Sequence, residues 1–448
     1  MGVSIDTRTL EPGSLFVAIR GERDGHDFVG VALAKGAAAA VVAEDCASDM
    51  AGHGTLLVVR EPLAAMEALG RTARARSTAK VVAVTGSVGK TGTKEALRHV
   101  LGAQGATHAS AASYNNHWGV PLTLARMPAN ARFGVFEIGM NHPGEILPLT
   151  AMVRPHVALV TTIAPVHIEH FASLDAIADA KGEIFTGLEP GGTAIINADQ
   201  PHAARLKAHA LASKAGRVVT FGADEGSDIW LRSVALGDDG SAVEASIFGR
   251  PIAYRLGSPG RHLAMNSLAV LAAVYALGAD AEAAALALAE VRPPVGRGER
   301  IMLRAPGGAF TLVDESYNAN PASMRAALDN LGRAPTGQGG RRIAVLGDML
   351  ELGAHGAEMH RGLAPAVEEA GVDLVFAAGP LMRAMWDALP SRRRGAYAQN
   401  AEALAAELLD ALGAGDVVMV KGSLGSRMGP IVRAAQARYG AHAPADGR

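Results

Sequence analysis

The segment VVAVTGSVGKTGTKE, Val81–Glu95, sets four small apolar residues before a glycine-rich turn, then Lys-Thr and a helix-compatible run. This layout suits a phosphate. A strand that ends in such a turn and opens a helix aims several backbone N–H groups at one point, and the helix dipole adds positive potential there. Gly86 and Gly89 admit close approach because they lack Cβ. Lys90 supplies a point charge for the outer phosphates, and the Thr91 hydroxyl suits Mg²⁺. The spacing is unusual. In the pattern G-x-x-x-x-G-K-[ST] the first glycine would fall at Val84, so the turn G-S-V-G-K-T is two residues tighter.

Other residues could join that chemistry. Glu137 ends the strand-like run FGVFEIG, and a carboxylate at the C-terminal end of a parallel strand faces the crevice where ligands bind. Such a carboxylate helps hold Mg²⁺ beside phosphates; taken alone, Glu137 would serve equally well in a salt bridge or at a rim. His167, in TTIAPVHIEHF, follows another strand and is expected on the same edge as Thr91 and Glu137, although a histidine there could also simply pack. Lys181, in DAKGEIF, falls on a predicted helix, where a solvated lysine is the default. DESYNANPASM, Asp314–Met324, is a polar turn whose Pro321 can open the next helix; a capping loop would have the same composition.

The elements that must position these residues read as α/β throughout. Residues 1–77 form a small α/β unit, with runs SLFVAI, AAAAVV and TLLVV around a helix-like DFVGVALAKG. RTARARSTAK then reads as a basic helix end or linker with a solvated face. Residues 78–298 alternate strand and helix, which predicts a mostly parallel sheet covered on both faces. Over residues 217–256 the pattern changes to an antiparallel extension. RPPVGRGER breaks the chain, and residues 299–448 carry four strand-like runs, FTLVDE, RRIAVLGD, VDLVFAAG and DVVMVKG, as in a Rossmann-like domain. No G-x-G-x-x-G follows its first strand, so a dinucleotide is not expected.

Composition bounds the partners. A chain of 448 residues suggests about three domains. Lys+Arg 42 against Asp+Glu 44 gives net charge −2, so nothing draws the whole molecule to nucleic acid or an anionic membrane. The single cysteine, Cys46, excludes an internal disulfide and fits a reducing compartment. There is no apolar stretch of about 18 residues and no signal-like N-terminus, so the expectation is cytoplasmic.

The motifs TGSVGKTGTKE, NNHWGVPLTL, FEIGMNHPGEI, APVHIEHF, AKGEIF, DESYNANPASM, LGDMLELG and VKGSLGSRM, in this order, resemble the Mur ligase family over nearly the whole chain. The tight phosphate turn is the form this family uses. NNHWGVPL with DESYNANP is the more specific signal, and it resembles the branch that joins D-alanyl-D-alanine to UDP-N-acetylmuramoyl-tripeptide. The resemblance implies a UDP-sugar domain, a central ATPase and a Rossmann-like C-terminal domain; a monomer is expected. Gly86, Ser87, Val88, Gly89, Lys90 and Thr91 match the ATP loop; Asn266, Arg297 and Asp314 match further nucleotide contacts. Thr91 and Glu137 match ligands of one Mg²⁺, His167 a ligand of a second, and Lys181 a lysine carried as a carbamate that could also bind the second ion. Lys90, His167 and Lys181 are thus the implied catalytic residues. Ser4, Asp6, Thr7, Arg8, Asn115 and Asn116 resemble the UDP-sugar site, and Asn318 and Asn320 sit where a closed cleft would meet nucleotide or dipeptide. Departures are His262-Leu263 for the usual His-Asn, Glu315 in place of a second Asp, and an abrupt start, for which a natural N-terminus further upstream is one expectation. The alternatives are a Mur ligase adding a single amino acid, a folylpolyglutamate synthase, or a non-catalytic nucleotide-binding module.

Overall fold

The computed structural model describes residues 2–440 except 51, 112, 167, 238 and 239. Three sheets follow one another along the chain. The first has four parallel strands in sequence order, Val3–Ser4, Leu15–Val17, Ala39–Ala43 and Leu56–Val59. The helix Pro62–Arg76 lies against it. Its Met66 is fully buried with Val17, Ile19, Val41 and Leu122, so the central domain's Leu122 completes the small core.

The central sheet has nine strands. Lys80–Thr85 runs between Phe133–Glu137 and Val157–Val160, parallel to both. Val81, Val82, Ala83 and Val84 have no exposed surface, as expected for a strand covered on both faces. From Lys80–Thr85 the chain builds first toward one edge, through Thr107–Ala109 and Phe133–Glu137, then crosses to Val157–Val160 on the other side. That reversal opens a crevice beyond the carboxyl ends of these strands.

The extension beyond residue 217 departs from expectation. Arg217–Gly222 pairs parallel with Thr193–Asn197, because the helix Ala203–Leu211 returns the chain as a crossover. Antiparallel pairing begins only at Ile229–Leu236 and runs through Ser241–Ile247 and Arg250–Leu256. The basic segment also departs from a purely solvated face. Arg71 and Arg76 are exposed, but Arg74 is 3% exposed. Its guanidinium donates to Val153 O at 2.7 Å and to Arg154 O at 2.8 Å, fastening the first domain's helix to the second domain.

The last sheet has six strands, two more than the sequence runs suggest. Glu299–Ala305 forms an antiparallel hairpin with Gly308–Glu315, and Arg394–Ala398 closes the far edge. Val417–Lys421 lies between Gly308–Glu315 and Arg342–Gly347, parallel to both. No described helix is long and apolar enough to cross a membrane.

Candidate active site

The strand Lys80–Thr85 stops where Gly86 takes φ +146°, a conformation that strains any side-chain-bearing residue; a Cβ there would also collide with Thr161 Oγ1. The turn is pinned to the end of the neighbouring strand. Thr161 Oγ1 donates to Val88 O at 2.6 Å, Ser87 N–H donates to Thr162 O at 2.8 Å, and Ser87 Oγ donates to Ala164 O at 3.0 Å. Gly89, at φ +90°, starts the helix Lys90–Gly102, which has no side-chain cap. The N–H groups of its first turn are therefore available to an anion. A Cβ on Gly89 would lie 2.8 Å from Asn266 Nδ2, so the Asn266 carboxamide rests on the turn itself.

Lys90 folds back and donates to Gly86 O at 2.8 Å. Burial lowers its pKa, the Glu137 charge raises it, and Arg297 lowers it. Those three charges face one space, and phosphates would relieve the excess positive potential around Lys90. Glu137 is 1% exposed. Its Oε1 accepts from Asn115 Nδ2 at 2.7 Å, while its Oε2 is buried without a partner. A buried carboxylate oxygen left unpaired is costly unless a cation or donor completes it. Among the described residues no three His, Cys, Asp or Glu side chains form a self-sufficient metal cluster. The unpaired Glu137 oxygen is a place a cation could complete, with Thr91 lining the same cleft.

These groups line a cleft of about 630 Å³ between the central and last domains. The opposite wall includes Arg297, Glu315, Tyr317, Asn318, Asn320 and Lys421. The Arg297 guanidinium stands over the Tyr317 ring, 4.3 Å from its centroid. Lys421 Nζ, almost fully buried, donates to Glu315 Oε2 and to Asn318 O, both at 3.0 Å.

The structure sorts the sequence candidates. Gly89, Lys90, Thr91, Ser87, Val88, Asn115, Glu137, Asn266, Arg297, Asn318 and Asn320 all line this cleft. Asp314 does not; it is buried, accepts the Ser316 N–H, and the cleft receives Glu315 instead. Alternation along a strand sends adjacent side chains to opposite faces. Asn115 belongs with Glu137, and Asn116 Oδ1 accepts from Trp118 N–H and Gly119 N–H at the entry to the helix Gly119–Ala125. Asn320 both lines the cleft and caps the helix Pro321–Arg333. Ser4, Asp6, Thr7 and Arg8 lie apart on the first domain, with Asp6 chelated by Arg8 and Thr7 O receiving Lys35 Nζ. Lys181 is not part of the cleft lining and is 2% exposed; burial and then the Lys90 charge hold its pKa well below the ordinary lysine value. His167 lies outside the described residues. Lys421 and Ser113 were not singled out from sequence, and Glu315 was noted only as a departure from a second Asp. Lys421 ends the strand-like DVVMVKG, the same position on a strand that marked Glu137, and that was the available signal.

Three family models match in chain order: Mur ligase family, catalytic domain, over residues 1–76; Mur ligase middle domain over 84–274; and Mur ligase, glutamate ligase domain, over 296–424. The UDP-N-acetylmuramoyl-tripeptide–D-alanyl-D-alanine ligase of Escherichia coli is 36% identical over 437 residues, covering 97% of this chain and 93% of the relative. The chain belongs to the Mur ligase family. The enzyme of the same name from Rickettsia prowazekii is 32% identical over 431 residues, covering 96% of this Mur ligase and 94% of the relative. The crystal structure of MurF from Acinetobacter baumannii superposes with TM-score 0.84 at 28% identity, covering 97% of this chain and 93% of that one. The Mur ligase from Thermotoga maritima, MurF in complex with ADP, gives 0.80 at 25% identity, with 97% of each chain covered.

Proposed function

We propose that this Mur ligase uses ATP to join D-alanyl-D-alanine to UDP-N-acetylmuramoyl-tripeptide in cytoplasmic peptidoglycan-precursor synthesis. The observation that carries the reading is the cleft itself: one wall is a phosphate turn with an unpaired carboxylate oxygen, the other a polar segment from a separate domain. The relatives that match nearly the full chain bear this activity in their names. The reading takes the chain to act as a monomer.

A carboxylate and an amine do not condense usefully in water; the carboxylate oxygen must first become a leaving group. The tripeptide's terminal carboxylate attacks the γ-phosphorus of ATP, the bond from that phosphorus to the bridging oxygen breaks, and ADP leaves an acyl phosphate. The D-alanyl-D-alanine amine then attacks the acyl carbon, the C–O bond breaks, phosphate departs and the amine loses a proton. Lys90 and the first-turn N–H groups bind the phosphates and offset repulsion between the two anions. Mg²⁺ ions, one held by Thr91 and Glu137 and a second assigned to His167 and carbamylated Lys181, supply charge neutralisation and phosphate orientation when bound. Lys181 suits a carbamate because a neutral buried amine is the form that adds CO₂. Closure of the last domain, bringing Arg297, Tyr317 and Asn318 onto the nucleotide, excludes the water that would hydrolyse an acyl phosphate.

The test is mass spectrometry of the product formed from ATP, Mg²⁺, UDP-N-acetylmuramoyl-tripeptide and D-alanyl-D-alanine. The expected product is the UDP-linked pentapeptide, with one phosphate per bond. Product with a single amino acid in place of the dipeptide, and none with the dipeptide, would replace this reading by a sister ligase.

A further inference from the structure

We propose that Asn115 is the positioning residue for the metal-binding carboxylate of Glu137. The inference rests on the reading of Glu137 as a Mg²⁺ ligand. Three contacts carry it. Asn115 Nδ2 donates to Glu137 Oε1 at 2.7 Å, which fixes the carboxylate and leaves Oε2 as its one unpaired oxygen. Asn115 O accepts the N–H of Gly139 at 2.8 Å, so the same residue clasps the backbone just beyond the carboxylate. A Cβ on Gly139 would lie 2.9 Å from Asn115 Cγ, so only glycine leaves the carboxamide room to cross this strand end.

The residue type follows from electrostatics. A lysine or arginine in this place would hold the carboxylate equally well but neutralise the charge that a cation needs. A carboxamide N–H orients Glu137 and leaves its charge intact. Asn115 is itself held by its loop. Ser113 Oγ accepts from Tyr317 of the last domain, and Trp118 packs at the first domain's core and against Gly21. The carboxylate's orientation is thus set by a segment that touches all three domains.

The test is Mn²⁺ affinity in the presence of β,γ-methylene ATP, read by electron paramagnetic resonance without turnover. Asn115→Ala should weaken Mn²⁺ by about 10- to 100-fold, the usual cost of losing an outer partner of a metal ligand. Affinity for β,γ-methylene ATP in EDTA should change far less than Mn²⁺ affinity, since the phosphate turn runs over residues 86–91 and Asn115 lies outside it. Gly139→Ala, which displaces the carboxamide without deleting it, should weaken Mn²⁺ in the same direction and guards against a folding defect in the first variant. Glu137→Gln separates the two readings. If it abolishes Mn²⁺ binding while both other variants bind as the parent does, Asn115 does not position the ligand. If Glu137→Gln also binds Mn²⁺ like the parent, the assignment of Glu137 falls and this inference falls with it.

Discussion

The Tyr317 phenol donates to Ser113 Oγ at 2.7 Å, a hydrogen bond from the last domain to the central one across the mouth of the cleft. Arg297 stacks on the same ring from the linker side. Tyr317→Phe removes only the bond and keeps the stack. A net hydrogen bond contributes about 0.5–1.5 kcal/mol, so KM for ATP should rise about two- to tenfold. Ser113→Ala should give the same rise, and the double variant no more than either alone, because the two side chains share one interaction. Strict additivity in steady-state kinetics would mean that this bond does not hold the cleft.

Lys181 is nearly sealed from solvent, and no shift in its surroundings favours an ammonium: burial and Lys90 both oppose the charge. A buried cation there would be unstable, and a carbamate would replace it with an anion facing Lys90. Lys181→Ala should therefore lose most of its ligation rate, and added formate or acetate should restore part of it. The measurement is phosphate release against acid concentration. Full activity without any additive would remove the carbamate from the scheme.

The phosphate turn was legible because its glycines, Lys90 and Thr91 are contiguous and their backbone conformation is demanded locally. The three-sheet α/β organisation was legible for a similar reason, since apolar runs such as Val81–Val84 mark strands covered on both faces. The edges were not. Arg394–Ala398 is short and only partly buried, and Glu299–Ala305 alternates exposed and more buried positions, with Met302 left in solvent in the middle of an apolar run, so neither looks like a buried strand. The choice between Asp314 and Glu315 was not legible either. Which of two adjacent carboxylates faces the cleft depends on strand register, and a one-residue shift exchanges them. Asn115 carries the same lesson: its partner Glu137 is brought to it by the sheet, over a sequence gap no local pattern spans.

Arg74 shows the cost of reading charge from composition. Its guanidinium spends its hydrogen bonds on Val153 O and Arg154 O, with Glu189 Oε1 at 3.7 Å. Those carbonyls end the helix Ile146–Val153, where a cation is favoured by the helix dipole. Arg74→Met keeps much of the buried stem and removes the donors. Two carbonyls losing a charged donor, one of them buried, should cost about 3 kcal/mol. The neighbouring Arg76, exposed, should tolerate the same substitution within about 0.5 kcal/mol. Thermal melting of the two variants side by side checks both figures, and equal melting points would show that burial of Arg74 adds nothing.

His360 gives the last domain a pH-dependent stability. The ring has no exposed surface; Nε2 accepts from Met349 N–H at 2.9 Å, and Nδ1 pairs with Gly356 O at 2.6 Å. The neutral tautomer satisfies both partners, whereas the imidazolium would leave the Met349 N–H facing a donor. Burial accordingly holds the pKa below the ordinary histidine value, against the opposing pull of Gly356 O and the Asp348 charge. The unfolded chain then binds its proton first as pH falls, so stability decreases from about pH 6.5 downward and levels off below the folded-state pKa. Asp348 has the opposite sign in a lower window: burial raises its carboxyl from the ordinary value of 3.8, despite N–H donors from Met382 and Leu381. Thermal unfolding of the parent should therefore shift to lower temperature between about pH 7.5 and pH 5.5, and His360→Gln, which cannot take up the proton, should show a flatter slope over that range. A variant slope equal to the parent's would assign the acid sensitivity to other groups.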